Sequence, residues 1–140
     1  MAQVLRVGQP DKVIIGSIDA ERALSQGEIR LKSIISAISH GTELNFVRGS
    51  SPFSGKFFDK SLRAFVEGVD INDHDPDVLG YEMVSVVMEV ADDVVGIQVG
   101  DLIHSGTPHQ DQTIVNVSEQ LRFGYPVTVL PAGKPVEPAL

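Results

Sequence analysis

Apolar side chains in this chain come in short runs, separated by glycine, proline and aspartate. The most continuous run is Met83-Val-Ser-Val-Val-Met-Glu-Val90, the pattern of a strand covered on at least one face. Gly80 predicts a sharp turn before it. After it come a polar corner at Asp92-Asp93 and a second turn through Gly96 and Gly100 into Asp101, where glycine supplies the backbone freedom that tight strand connections need. Towards the N-terminus, Val4 to Val7 and Lys12 to Asp19 read as strands around a turn at Gly8-Gln9-Pro10-Asp11, and Ala20 to Gly27 as a loop. Glu28 to Ser39 alternates well enough for a long strand, with Arg30 and Lys32 facing water. A helix competes there, because Ile34, Ile35 and Ile38 also fit helical spacing. Three strands before residue 40, with no βαβ rhythm, point to an all-β or barrel-like unit.

Gly41 to Gly49 predicts a short helix, with Thr42 as its N-cap and Gly49 closing it. Ser50 to Gly68 reads as a long irregular loop holding four of the six phenylalanines. Its Phe53, Phe57 and Phe58 are candidates for the apolar wall of a substrate pocket, or for rings that cover one end of the core. Asp70 to Asp77 carries four aspartates but lacks the glycine and distal glutamate of a calcium loop, so it is expected to be a solvated acidic loop. Leu102 to His104 and Thr113 to Val117 predict short strands, and Tyr125 to Leu130 a last apolar run before a Pro/Gly-rich end.

Bulk properties narrow the class further. A length of 140 residues, with 42% apolar and 21% charged side chains, suits one ordinary globular domain. A net charge of -8 argues against nucleic acid and against an anionic membrane surface as partners. With no cysteine anywhere, disulfides, thiolate zinc sites and thiol nucleophiles are ruled out. No signal-peptide pattern opens the sequence, and the cytoplasm is the expected location.

Leu79-Gly80-Tyr81-Glu82, the Val-rich strand and Val99-Gly100-Asp101 together resemble the LGHE…GxVxxVG…VGDxV signature of the medium-chain dehydrogenase/reductase superfamily. Ser36 to Leu44 is similar to that superfamily's G-I-C-G-T-D segment. The resemblance implies a mainly β fold, a GroES-like, partly open β-barrel with a few short helices. It assigns residues 1–126 to a substrate-binding domain and 127–140 to a connector toward a Rossmann cofactor domain absent from this sequence. A parent protein of this kind moves a hydride between NAD(P)H and a carbonyl, alcohol or activated-alkene substrate.

Aligned on Gly41-Thr42-Glu43, His40 falls where the zinc enzymes carry a cysteine ligand, and Tyr81 stands in place of their second ligand, a histidine. Glu82 matches the acidic neighbour. His40 and Glu82 are thus the two candidate metal ligands, one short of the three that catalytic zinc takes from protein. Tyr81 would have to lose its phenolic proton to serve. The expectation is a zinc-independent protein in which His40, Thr42, Tyr81 and Glu82 form the catalytic set. In that set Tyr81 and His40 polarise a carbonyl or relay a proton, and the Thr42 hydroxyl lies near substrate and nicotinamide. The plainer alternative is that Tyr81 packs on the barrel, His40 bonds a backbone carbonyl and Thr42 is only a cap. His104 and His109, in a segment similar to the family's GDRV…G(A/H)xAEYxxV, are expected to be surface histidines.

No G-x-G-x-x-G occurs in these residues, so no residue of this chain is assigned to NAD(P), and the chain alone is expected to be inactive. The competing reading is a stand-alone, non-catalytic GroES-like binding or assembly module. Family members commonly pair through the cofactor domain, which leaves a homo-oligomer open.

Overall fold

The computed structural model describes residues 1–52, 55–59, 61–68, 78–122, 125–133 and 135–136. Among them are nine strands and two short helices. The largest sheet is built on β6 (Met83–Val90), the run singled out by its apolar continuity. On one edge it pairs antiparallel with β3 (Glu28–Ser36), on the other with β7 (Leu102–Ser105). β8 (Gln112–Asn116) extends the sheet beyond β3, and β9 (Thr128–Val129) extends it beyond β7, giving the order β8-β3-β6-β7-β9. Two hairpins complete the fold: β1 (Ala2–Gln9) with β2 (Lys12–Ile18), and β4 (Lys56–Asp59) with β5 (Ala64–Glu67). The sheets do not close on one another, so the fold is mainly β and partly open, as expected.

The core lies on one face of the large sheet. Ile29 and Leu31 of β3, Val87 of β6, Ile103 of β7 and Val115 of β8 are buried together, with Val127 and Ile97 packed against them. Register explains the grouping, since Ile29 opposes Val115 and Leu31 opposes Val87. Two-residue periodicity therefore brings alternate side chains to one side. At the start of β6 Met83 and Val84, pointing to opposite faces, are both fully buried, which accounts for the unbroken apolar run there.

Arg30 lies on the other face. Its guanidinium bonds the backbone carbonyls of Ala20 and Arg22 and pairs with Glu89 at 2.8 Å, pinning the loop that connects the first hairpin to β3. In the first hairpin Pro10 and Asp11 form the two-residue turn. Proline fixes the first turn angle and Asp11 takes a positive φ of 60°.

Several expected elements are corrected. The strand from Glu28 ends at Ser36 rather than Ser39, and no helix forms there. Ser50 to Gly68 is not an irregular loop throughout, because β4 and β5 pair residue for residue from Lys56↔Glu67 to Asp59↔Ala64. Asp59 Oδ1 organises that hairpin's turn, accepting from the Ser61 and Leu62 N–H groups and the Ser61 hydroxyl. These bonds hold the Asp59 carboxyl below its ordinary range, chiefly through the Ser61 side chain.

A second helix, α2 (Val117–Arg122), was not expected. Asn116 caps it, its Oδ1 accepting the N–H groups of Ser118 and Glu119 at 3.1 Å. The acidic stretch at Asp70 to Asp77 lies outside the described residues. None of the described helices is long and apolar enough to cross a membrane.

Candidate functional site

Helix α1 (Glu43–Val47) carries the segment expected to hold His40 and Thr42 at its N-terminal side. Thr42 occupies the N-cap position, but its side chain makes no capping hydrogen bond. Ser39 does that work instead. Its carbonyl accepts the Glu43 N–H at 3.0 Å, its N–H donates to Glu43 Oε1 at 2.8 Å, and its hydroxyl lies 3.4 Å from the Thr42 nitrogen. This is the reciprocal logic of a capping box, displaced by one residue from the usual spacing. His40 and Thr42 are left exposed on the turn before the helix.

Glu43 is the residue that sequence reasoning missed. It is buried at 5% exposure, and its second oxygen meets His109 Nε2 at 2.7 Å across 66 residues. His109, expected at the surface, is itself 4% exposed. Its backbone is inserted between β1 and the Leu79 segment, with its N–H donating to the Leu79 carbonyl at 2.7 Å and its carbonyl accepting from Leu5 at 2.9 Å. Gly80 lies against its ring. At φ +104°, a Cβ on Gly80 would sit 2.5 Å from the His109 nitrogen and 2.9 Å from its Cγ. The glycine of the Leu79-Gly80-Tyr81-Glu82 segment is thus required by a close approach as well as by its backbone angle.

Beyond Gly80 the chain presents Tyr81, 38% exposed, and Glu82, partly buried. Among the described residues His40 and Tyr81 make no side-chain hydrogen bond. Glu82 Oε1 faces His104 Nε2 at 3.5 Å, a separation at the limit of hydrogen bonding, and that nitrogen has no hydrogen-bond partner among the described atoms. The pairing follows from the sheet, because His104 on β7 stands opposite Val84, two residues past Glu82.

The four expected catalytic residues therefore distribute over two neighbouring arms, 39–43 and 79–82, and the structure joins the arms through Glu43 and His109 rather than through those four side chains. Among the described residues no group of three or more His, Cys, Asp or Glu side chains is arranged to hold a metal ion.

Of the candidate pocket phenylalanines, Phe53 and the side chain of Phe58 lie outside what is described. Phe57 is half-buried in β4 opposite Val66, its ring over Gly68. An open groove of about 410 Å³ runs instead between the first hairpin and β3, lined by Leu5, Ile15, Ile34, Ile35, His109 and Asp111 among others. Phe57 is not part of it.

No family model matches this chain, and no curated protein sequence matches it. Solved structures do. A quinone oxidoreductase from Pseudomonas syringae pv. Tomato DC3000 superposes with a TM-score of 0.60 at 14% identity, over 96% of this chain and 35% of that one. The CurF ER cyclopropanase of the curacin A biosynthetic pathway gives 0.64 at 14% identity, over 96% and 37%. A complex of Etr1p with NADP and crotonyl-CoA gives 0.56 at 15% identity, over 93% and 34%. These neighbours are members of the medium-chain dehydrogenase/reductase superfamily. At such identities the likeness is one of fold, and it is the fold that the two sequence segments implied. The chain spans about a third of the length of each structure.

Proposed function

We propose that this chain is the substrate-side domain of an NAD(P)-dependent, zinc-independent oxidoreductase acting on a carbonyl, an alcohol or an activated alkene. The observation that carries this reading is the superposition of nearly the whole chain on about one third of several oxidoreductase structures. One neighbour is complexed with NADP and crotonyl-CoA, an α,β-unsaturated thioester, which favours activated alkenes and NADP. The dinucleotide would be held by a second domain carrying the Gly-rich turn that these residues lack.

The role of this chain's residues follows from chemistry they can do without a metal. Tyr81, partly exposed beside the rigid Gly80 turn, donates a hydrogen bond to the substrate carbonyl, where negative charge develops as hydride arrives. His40 and Thr42, exposed on the turn before α1, complete the proposed set. Glu82, next in the chain, approaches His104 within 3.5 Å, and the two would pass a proton between them once that gap closes to a hydrogen bond. Nicotinamide, when bound, supplies the hydride; these side chains orient the acceptor and move a proton.

NADPH consumption with aldehydes, quinones and enoyl thioesters tests this on residues 1–140 alone and on the native-length polypeptide. The expected result is no turnover by residues 1–140 and turnover by the native polypeptide. Turnover by residues 1–140, or none by the native polypeptide, would contradict the proposal.

A further inference from the structure

We infer that His109 and Glu43 are a positioning pair, whose task is to hold the arm carrying His40 and Thr42 in register with the arm carrying Tyr81 and Glu82. The inference rests on the reading of those arms as the site.

Three features set the pair apart from an ordinary buried contact. First, each partner is anchored to a different arm by backbone bonds of its own. Glu43 is tied to Ser39 in both directions, at 2.8 and 3.0 Å, and His109 is tied to Leu79 at 2.7 Å with Gly80 against its ring. The 2.7 Å Nε2–Oε2 contact is therefore a direct link between residues 39 and 79.

Second, both side chains are almost fully buried, at 4% and 6% exposure. Among the described residues a lone carboxylate there would keep only the Ser39 N–H, and desolvating a charge with so little compensation is costly. Third, the pair stands outside the apolar cluster of Ile29, Leu31, Val87, Ile103 and Val115, so its loss should loosen the arms before it loosens the core.

The proton arrangement follows. An ionised Glu43 oxygen can only accept, which puts the hydrogen of the 2.7 Å contact on Nε2, and Nδ1 has no partner among the described atoms. A proton on Nδ1 would be a buried donor with nothing to bond, so the neutral Nε2–H tautomer fits the site.

The test is amide hydrogen exchange on the 140-residue chain with two substitutions. His109→Gln keeps an Nε2 donor at similar reach, whereas His109→Leu keeps the bulk and removes the donor. In His109→Leu, amides of 39–43 and 79–82 should exchange about tenfold faster while those of Leu31 and Val87 keep their rates, as expected of a local opening. His109→Gln should restore protection to within about threefold of the original. Equal behaviour of the two variants, or acceleration spread evenly into β3 and β6, would overturn the inference.

Should His109→Leu fail to fold, the imidazole nitrogen resonances of the unsubstituted protein decide. An imidazole with its hydrogen on Nε2, whose nitrogen resonance shifts on Glu43→Leu, supports the pair; an Nε2 without a hydrogen, or a resonance unmoved by Glu43→Leu, refutes it. Neither readout needs cofactor or substrate, so failure here is separable from failure of the oxidoreductase reading, which would show as absent turnover in the unsubstituted native protein.

Discussion

Replacing Gly80 by alanine separates backbone angle from close approach. Gly80 has φ +104°, and an added Cβ would fall 2.5 Å from the His109 backbone nitrogen and 2.9 to 3.0 Å from two of its ring carbons. The backbone angle alone costs a non-glycine residue roughly 1–3 kcal/mol. The contact adds an overpacking term of about 1–3 kcal/mol, because the nearest atom belongs to backbone bonded to Leu79 and cannot swing away. Gly96→Ala is the control: its φ is +84° and its Cβ would meet nothing within 4 Å, so it bears only the angle term.

Urea unfolding should then give a loss of about 4 kcal/mol for Gly80→Ala and about 2 kcal/mol for Gly96→Ala. For a chain of this length that corresponds to melting shifts of roughly 14 and 7 °C. If the two variants lie within about 0.5 kcal/mol of each other, the Gly80–His109 contact is not a constraint, and the linkage built on it fails.

Three other perturbations probe different parts of the fold. The Glu28 carboxyl is held to about 2 by the two-pronged Arg22 guanidinium, both contacts at 2.7 Å, and by the Ser25 N–H. A depressed carboxyl stabilises above its ordinary value of 4.5 and loses that contribution as pH falls towards about 2. Arg22 is 44% exposed, so after solvent screening Glu28→Gln should cost only about 1 kcal/mol at pH 7, with the gap from the unsubstituted protein closing between pH 4.5 and 2; a gap independent of pH would contradict this. Leu31→Ala, at a site with no exposure in the centre of the core, should lose about 3 kcal/mol by chemical denaturation. Asn116→Ala removes the cap of α2 and the amide bond to the Gln26 carbonyl, and should cost about 1–2 kcal/mol with exchange rising first at Ser118 and Glu119.

How much of this was legible in the sequence depends on the range of the determining interaction. β6 was readable to the residue because its own eight side chains carry the signal, and Gly80, Gly96 and Gly100 mark turns that do take positive φ. The β4–β5 hairpin was hidden because its strands are four residues long and their alternation is diluted among Ser, Gly and Lys. α2 had a signal that went unused, since Asn116 followed by Ser118 and Glu119 is a helix start.

The site divides the same way. The two arms of the proposed site are legible as short motifs, but what joins them is not. Whether His109 is a surface or a buried side chain is decided by Glu43, 66 residues away, and by the fit of Gly80 against its ring. No local window contains that information. Thr42 was taken as the cap for want of seeing that Ser39 and Glu43 satisfy each other first.

The central claim is that these residues are one part of a two-domain oxidoreductase. The measurement that tests it most directly is the intact mass of the native polypeptide from its source cells, read together with its coding sequence. The account predicts roughly 250 further residues beyond these 140, in keeping with the third of each neighbour that they span, containing a strand, a Gly-rich turn and a helix that together bind a dinucleotide. A native mass of 15.1 kDa, that of these 140 residues, would contradict it.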